Sequence, residues 1–165
     1  MGLRDKIRHS TAPGLRDFAA TPMALVEKSV LIERTPVQMF LLVDRVEDYP
    51  AFLPWCGGTE LHERTATRTA ATIRINYHGL KSHFSTENIK EEPYLMDIRL
   101  TDGPFARMDG HWRFTPLGET ACKVEFRLHY EFSSQLLEKA LGPVFNHIAD
   151  TFVESFVKRA QKVYG

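Results

Sequence analysis

The chain has 165 residues, 43% of them hydrophobic and 25% charged, a composition typical of one globular domain with its own core. Lysine and arginine together number 21, as do aspartate and glutamate, so no global basic charge favours nucleic acids, and DNA is not an expected partner. No apolar run approaches the roughly 18 residues of a membrane-spanning helix.

The two cysteines, Cys56 and Cys122, are compatible with one disulfide or with two free thiols in a reducing cytoplasm. A zinc site needs about four closely spaced ligands. None of the seven histidines clusters with the cysteines, so no metal site is expected. Residues 1–22 lack an apolar segment and are predicted to form a disordered leader, followed by a folded domain over residues 23–165.

The predicted elements begin with a strand near Ala24, in which apolar residues occupy alternate positions. Thr35, followed by a proline, predicts the N-cap and first turn of a short helix that ends near Asp44. A second short helical turn is expected next, halted by Pro50 because proline lacks a backbone N–H.

Period-two alternation then runs from Gly58 to Phe132 and predicts about six antiparallel strands. The last strand, from Cys122 to Phe132, alternates apolar and polar residues without a fault. One dry face and one wet face are typical of an antiparallel sheet that is packed on one side only. Asp102-Gly103-Pro104 predicts a turn within this region.

From Ser134 to about Tyr164 the apolar residues recur at spacings of three and four. This pattern predicts one amphipathic helix of about 45 Å, at roughly 1.5 Å per residue. Gly142-Pro143 is expected to interrupt and kink it. We interpret this kink as a hinge through which the helix end lifts to admit a long ligand.

The predicted fold class is therefore α+β: a curved antiparallel sheet of about six to seven strands wraps around a long C-terminal helix. Two short helices follow the first strand. A twisted sheet around a single helix tends to leave an apolar hollow, and an open cavity is the favoured expectation. The alternative is that the large inward side chains fill this space completely.

The segment from Tyr49 to Cys56, YPAFLPWC, has no charge and two prolines. Ordinary loops are polar because they lie on the surface. This one must bury its side chains, line the rim of a cavity or contact an apolar partner. Phe52 and Trp55 are the candidates for contact with a ligand, and a packed corner is the alternative role.

Several separated motifs, in order from Met23 to the C-terminus, resemble the START-like, helix-grip (SRPBCC) superfamily. Within it they are similar to the branch of coenzyme-Q-binding and ribosome-association-toxin (RatA) proteins, also labelled polyketide cyclase/dehydrase. The matching residues are Val43-Asp44, Glu47-Asp48-Tyr49-Pro50, Phe52-Leu53-Pro54-Trp55-Cys56, Asp102-Gly103-Pro104-Phe105, Gly110, Trp112, Phe114, Val144-Phe145-Asn146, Ile148-Ala149, Phe156, Arg159-Ala160 and Tyr164-Gly165.

This resemblance implies non-catalytic binding of a hydrophobic lipid, with ubiquinone or another polyprenyl quinone as bound ligand and not as redox cofactor, in support of respiratory electron transport. It also implies a cytoplasmic protein in transient contact with the inner membrane face. The expected ligand-binding residues are Phe52, Leu53, Trp55, Tyr77, Phe84, Met96, Phe105, Trp112, Phe126, Tyr130, Val144, Phe145, Ile148 and Phe152.

Two alternatives remain open. A ribosome-association toxin would bind the large ribosomal subunit and block subunit joining. Its basic surface would be Lys158, Arg159 and Lys162, or a second patch of Arg64, Arg68 and Arg74. A polyketide cyclase-type enzyme would need titratable groups that converge in the cavity. No nucleophile elbow, phosphate loop or metal spacing is present, so no catalytic residue is expected.

Overall fold

The computed structural model describes residues 3–10, as backbone, and residues 23–165. Its elements in chain order are β1 (Leu3–Ser10), β2 (Met23–Ile32), α1 (Pro36–Asp44), a 3-10 helix (Val46–Ala51), β3 (Cys56–Arg64), β4 (Arg68–Tyr77), β5 (Leu80–Glu91), β6 (Leu95–Asp102), β7 (Phe105–Leu117), β8 (Ala121–Phe132) and α2 (Gln135–Tyr164).

The strands form one antiparallel sheet in the order β1-β2-β8-β7-β6-β5-β4-β3. The first strand of the folded domain thus pairs with its last strand, with Val26 opposite Leu128. Seven strands within residues 23–165, together with α2, confirm the α+β architecture that the periodicity predicts.

Strand β1 adds an eighth strand on the free edge of β2. The sequence predicts a disordered leader over residues 1–22, whereas residues 3–10 pair with β2 along their whole length. The physical reason is that the outer edge of β2 offers unpaired backbone N–H and C=O groups. The other residues of the predicted leader lie outside the described residues.

Helix α2 covers the inner face of the sheet with one apolar side. Its buried residues recur at helical spacing: Gly142, Phe145, Ile148, Ala149, Val153, Phe156 and Ala160. The predicted interruption at Gly142-Pro143 is wrong, because α2 is one continuous helix of 30 residues that includes Pro143. Pro143 is exposed and removes a single backbone donor, so the other hydrogen bonds continue the helix.

Helix α1 begins as predicted, with Thr35 as its N-cap. The Thr35 hydroxyl accepts from the Gln38 N–H at 3.2 Å, and the Gln38 side-chain oxygen accepts from the Thr35 N–H at 2.9 Å. This capping box satisfies two backbone donors at once. The following 3-10 helix contains Pro50 and ends one residue later, so the proline lies inside the turn that it was expected to halt.

Two glycines are required by the backbone around the sheet. Gly103 has a φ of +148° in the predicted turn after β6, a conformation that other residues rarely adopt. Gly110 lies where β7 crosses β8, and a Cβ atom there would lie 2.0 Å from the Arg127 carbonyl oxygen. A side chain at position 110 would therefore push the two strands apart.

A buried polar cluster attaches the end of α1 to the sheet. The Asp44 carboxylate accepts from the Thr69 hydroxyl at 2.6 Å and pairs with the Lys90 ammonium at 3.2 Å. The Arg64 Nε lies 3.2 Å from the same carboxylate and its guanidinium also contacts Glu47. The Lys90 and Asp44 side chains are only 2% and 6% exposed, so each charge depends on its partner.

We expect Asp44→Leu to lower the free energy of unfolding by about 3–5 kcal/mol, because Lys90 would become an unpaired buried cation. Adding Lys90→Met should recover a large part of this loss, since no charge then remains buried at that position. Urea unfolding measures both effects.

The control is Asp48→Ala, which removes an exposed ion pair with Arg45 and should hardly change the free energy of unfolding. If Asp44→Leu were no more destabilising than this control, the cluster would not anchor α1.

Candidate apolar binding cavity

A cavity of about 70 Å³ lies between the inner face of the sheet and α2. Its lining comes from the 3-10 helix, the loop before β3, five strands and the middle of α2. The lining residues are Val46, Tyr49, Trp55, Ile73, Phe84, Thr86, Asn88, Ile98, Met108, Trp112, Phe126, Leu128, Phe145, Ile148, Ala149 and Phe152.

Aromatic rings occupy most of the space between sheet and helix. The Phe152 ring lies 5.7 Å from Trp112 and 5.5 Å from Phe126, measured between ring centroids. Pockets that hold drug-sized ligands usually measure about 300–1,000 Å³. The cavity is thus open but much smaller than the expected hollow, because these rings interlock across it.

Part of the YPAFLPWC segment lines the cavity and part of it forms a packed corner. Tyr49 and Trp55 line the cavity, whereas Leu53 is buried in the core next to it. Phe52 packs on Phe156 at 5.2 Å between ring centroids, and the Arg159 guanidinium lies over the Phe52 ring at 5.2 Å from its centroid. The Tyr49 hydroxyl donates to the Val43 carbonyl at 2.5 Å, which holds the segment against α1.

Half of the expected ligand-binding residues line the cavity, and the structure distributes the others through the surrounding core. Those in the lining are Trp55, Phe84, Trp112, Phe126, Phe145, Ile148 and Phe152. Those outside it are Phe52, Leu53, Tyr77, Met96, Phe105, Tyr130 and Val144.

The expected residues that lie outside the lining have other partners. Tyr77 stacks on His147 at 5.5 Å, near the end of the sheet. The Tyr130 hydroxyl donates to the Asn146 side chain, and burial raises the pKa of Tyr130 above its ordinary value. Phe105 packs on Phe145 at 4.8 Å and lines a second, smaller cavity. These contacts depend on which rings meet across the core. Alternation along one strand shows which face a residue occupies but not which ring it meets there.

Nine lining residues were not among the expected ones: Val46, Tyr49, Ile73, Thr86, Asn88, Ile98, Met108, Leu128 and Ala149. The polar pair among them had a signal in the sequence. Thr86 and Asn88 lie in phase with Phe84 on β5, so alternation places all three on the same buried face. Polar residues in phase with a buried aromatic indicate a polar point inside an apolar space.

Two polar atoms of this lining have no hydrogen-bond partner among the described residues: the Trp55 indole N–H and the Asn88 side-chain oxygen. Trp55 is 2% exposed and Asn88 9% exposed. The Asn88 amide nitrogen donates to the Met96 sulfur at 3.4 Å. Buried polar groups are nearly always paired, so these two atoms distinguish the cavity from ordinary core.

The lining offers little for acid–base chemistry. Its only ionisable side chain is Tyr49, whose hydroxyl is engaged by Val43 and whose pKa is raised by burial. Both cysteines are free and buried, and burial raises the pKa of Cys122 to about 11. Within the described part of the chain, no group of three potential metal ligands occurs.

The predicted basic patches differ in their availability. Arg64 pairs with Glu47, Arg68 with Glu63 and Glu87, and Arg74 with Glu60, so acidic partners neutralise this patch. At the end of α2, Lys158 pairs with Glu154 at the exposed surface, and Arg159 packs on Phe52. Arg159 and Lys162 have no ion-pair partner among the described residues, whereas all three arginines of the other patch are paired. The α2 patch is therefore the better candidate for a polyanionic partner.

A curved antiparallel sheet around a long C-terminal helix, with an apolar cavity between them, defines the helix-grip, START-like class. Residues 32–157 match the family described as polyketide cyclase/dehydrase and lipid transport, and the chain belongs to this family.

Curated relatives cover most of the chain. It is 41% identical over 143 residues to a protein of Vibrio cholerae named ribosome association toxin RatA, covering 87% of this chain and 99% of that protein. The RatA protein of Escherichia coli is 37% identical, with coverages of 86% and 90%. A Xenopus laevis protein named coenzyme Q-binding protein COQ10 homolog B, mitochondrial, is 25% identical, over 78% of this chain and 54% of that protein.

Solved structures share the architecture. The 18 kDa protein CC1736 from Caulobacter crescentus is 30% identical with a TM-score of 0.65, covering 86% of this chain and 98% of that one. The Zhui aromatase/cyclase from Streptomyces has a TM-score of 0.70 at 14% identity, with coverages of 87% and 96%, which shows the fold alone.

Among the described residues, no helix has the length and apolar character needed to cross a bilayer.

Proposed function

We propose that the chain binds a hydrophobic ligand, specifically a polyprenyl quinone, between the sheet and α2, and does not convert it chemically. The observation that carries this proposal is the apolar cavity, whose lining includes no free acid or base. The family description, which includes lipid transport, and the name of the Xenopus relative support the same ligand class.

Burial of the isoprenoid tail would drive binding at about 0.8 kcal/mol per methylene-sized group, offset in part by lost motion. A cavity of about 70 Å³ holds only part of a quinone ring, so ligand entry must displace side chains. Phe152 is the half-buried aromatic ring of the lining and touches both tryptophans, at 6.1 Å from Trp55 and 5.7 Å from Trp112. Its rotation would join the cavity to the surface.

The first turns of α2 offer an entrance. Among residues 135–144 only Gly142 is buried, whereas six residues between 145 and 160 are buried. Sparse packing of a segment lowers the cost of opening it. Lifting this end at Gly142-Pro143 would expose Phe145, which lines the cavity. This gives the predicted hinge a structural basis even though the helix is continuous.

A second candidate function is ribosome association. It is favoured by relatives named ribosome association toxin, which are 37–41% identical to the chain and match it over nearly their whole length. We propose that such binding would use the basic end of α2 and target the large ribosomal subunit. In either case the proposed setting is the cytoplasm, with transient contact at the inner membrane face when a lipid is exchanged. Polyketide cyclisation is disfavoured because the lining lacks a catalytic acid or base.

We expect Ala149→Leu to abolish binding of a short-tailed benzoquinone, because the longer side chain fills the cavity. Stability should be kept or raised, by at most about 1.7 kcal/mol at ~24 cal/mol per Å³ if the whole cavity is removed. The chain's two tryptophans, Trp55 and Trp112, both line the cavity, so quinone quenching of their fluorescence measures binding directly.

The matched control is Val153→Ile, which also enlarges a buried α2 residue but lies outside the lining. It should bind as the parent does. Unchanged quenching in a folded Ala149→Leu protein would place the ligand elsewhere, and no saturable quenching of the parent would refute quinone binding.

We expect Gly142→Ala to slow ligand entry. The added Cβ would lie 3.8 Å from Glu138 Cγ and 3.9 Å from Phe132 Cε2, which are ordinary contacts, so the fold should accept it. Alanine stiffens a helix relative to glycine by about 0.5–1 kcal/mol. Stopped-flow quenching should show slower association, and hydrogen exchange of residues 138–147 should fall. If those residues are already as protected in the parent as the rest of α2, the hinge is refuted.

If the chain binds ribosomes, Lys158→Gln combined with Lys162→Gln should weaken co-sedimentation with the large subunit. The salt dependence should also become shallower, by about one in log–log slope for each lost phosphate contact. Arg74→Gln is the control, since Glu60 already neutralises Arg74. Sedimentation that is insensitive to salt and to the double variant would exclude this surface.

A further inference from the structure

Trp55 and Asn88 both line the apolar cavity, and each carries a buried polar atom without a hydrogen bond, a donor on Trp55 and an acceptor on Asn88. Trp55 lies at the end of the YPAFLPWC segment and Asn88 on β5, so separate elements supply them. The indole N–H is a donor only, and the amide oxygen is an acceptor only. Neither has a partner among the described residues, although both side chains are at least nine-tenths buried.

The orientation of the Asn88 amide is set by its neighbour. Its nitrogen donates to the Met96 sulfur at 3.4 Å, and Met96 is fully buried. Turning the amide over would give up this contact and set two acceptors, oxygen and sulfur, against each other. The unpaired atom of Asn88 is therefore its oxygen, which accepts a hydrogen bond.

A ligand that satisfies both atoms must carry an acceptor for Trp55 and a donor for Asn88. A quinone ring has only acceptors, so it would pair with the indole N–H and leave the amide oxygen unpaired. The reduced ring, a hydroquinone, has hydroxyl groups that both donate and accept. Because the quinone leaves the Asn88 oxygen unpaired, we expect it to bind about tenfold more weakly than the hydroquinone.

We infer that the cavity prefers the reduced, hydroxyl-bearing form of a quinone over the oxidised form, with Trp55 and Asn88 as the residues that discriminate. This inference rests on the proposed quinone-binding function and adds the redox state of the ligand to it. The preference comes from hydrogen-bond polarity alone, since both forms have similar rings and identical tails.

The test is anaerobic calorimetric titration of the whole chain with three matched probes: a decyl-tailed benzoquinone, its hydroquinone and the dimethyl ether of that hydroquinone. We expect the hydroquinone to bind about tenfold more tightly than the quinone. The dimethyl ether has acceptors but no donors, so it should also bind more weakly than the hydroquinone.

Two variants assign the effect. Asn88→Leu removes the acceptor and should weaken hydroquinone binding about tenfold while quinone binding hardly changes, which abolishes the preference. Trp55→Phe keeps an aromatic ring but removes the N–H, so it should weaken both forms by a similar factor. Val153→Ile, outside the lining, should preserve the preference.

The outcomes distinguish the redox preference from quinone binding itself. Equal affinity of the parent for quinone and hydroquinone would overturn the redox preference and leave the proposed function standing. A preference that survives in Asn88→Leu would also overturn it, because another group would then be responsible. No binding of any of the three probes would overturn quinone binding itself. The comparison among probes uses the parent chain, so it does not depend on a variant folding.

Discussion

The phenylalanines of α2 pack into the aromatic inner face of the sheet, and the remainder of the structure depends on this contact. Phe145, Phe152 and Phe156 each meet rings from several strands or from the YPAFLPWC segment, at centroid separations of about 5–6 Å. Because the rings meet at tilted or edge-to-face angles, the layers interlock and leave small cavities between the described parts of the sheet and α2. Removing the helix would expose the whole apolar face of the sheet to water.

The same packing explains why binding is a better hypothesis than catalysis. Charged groups lie outside the cavity lining: Asp44 and Glu47 neutralise Lys90 and Arg64 beside α1. Inside, only Tyr49 is ionisable, and its hydroxyl is already committed to Val43. What remains are apolar walls with one unpaired donor and one unpaired acceptor. Such a lining can hold and orient an apolar ring, but it cannot exchange a proton near neutral pH.

The narrowness of the cavity shapes the proposed mechanism. A quinone fits only if rings move, which couples ligand entry to Phe152 and to the sparsely packed start of α2. The interlocking rings also keep water from most of the aromatic core. Their close packing means that the energy needed to open the cavity reduces the net affinity for the ligand.

The sequence by itself determines most of the elements and their order along the chain. Alternation along β8 and helical spacing along α2 each depend on neighbours in the chain, so both elements could be predicted. The capping residues at Thr35 likewise act locally. Thr86 and Asn88 could have been recognised by their phase with Phe84. Only the tertiary structure decided that Tyr77 and Tyr130 turn to α2 partners while Trp55 lines the cavity. The volume of the cavity was likewise decided only by the tertiary structure. Ring partners and cavity volume both depend on which side chains meet across the core, and those side chains lie far apart in the chain.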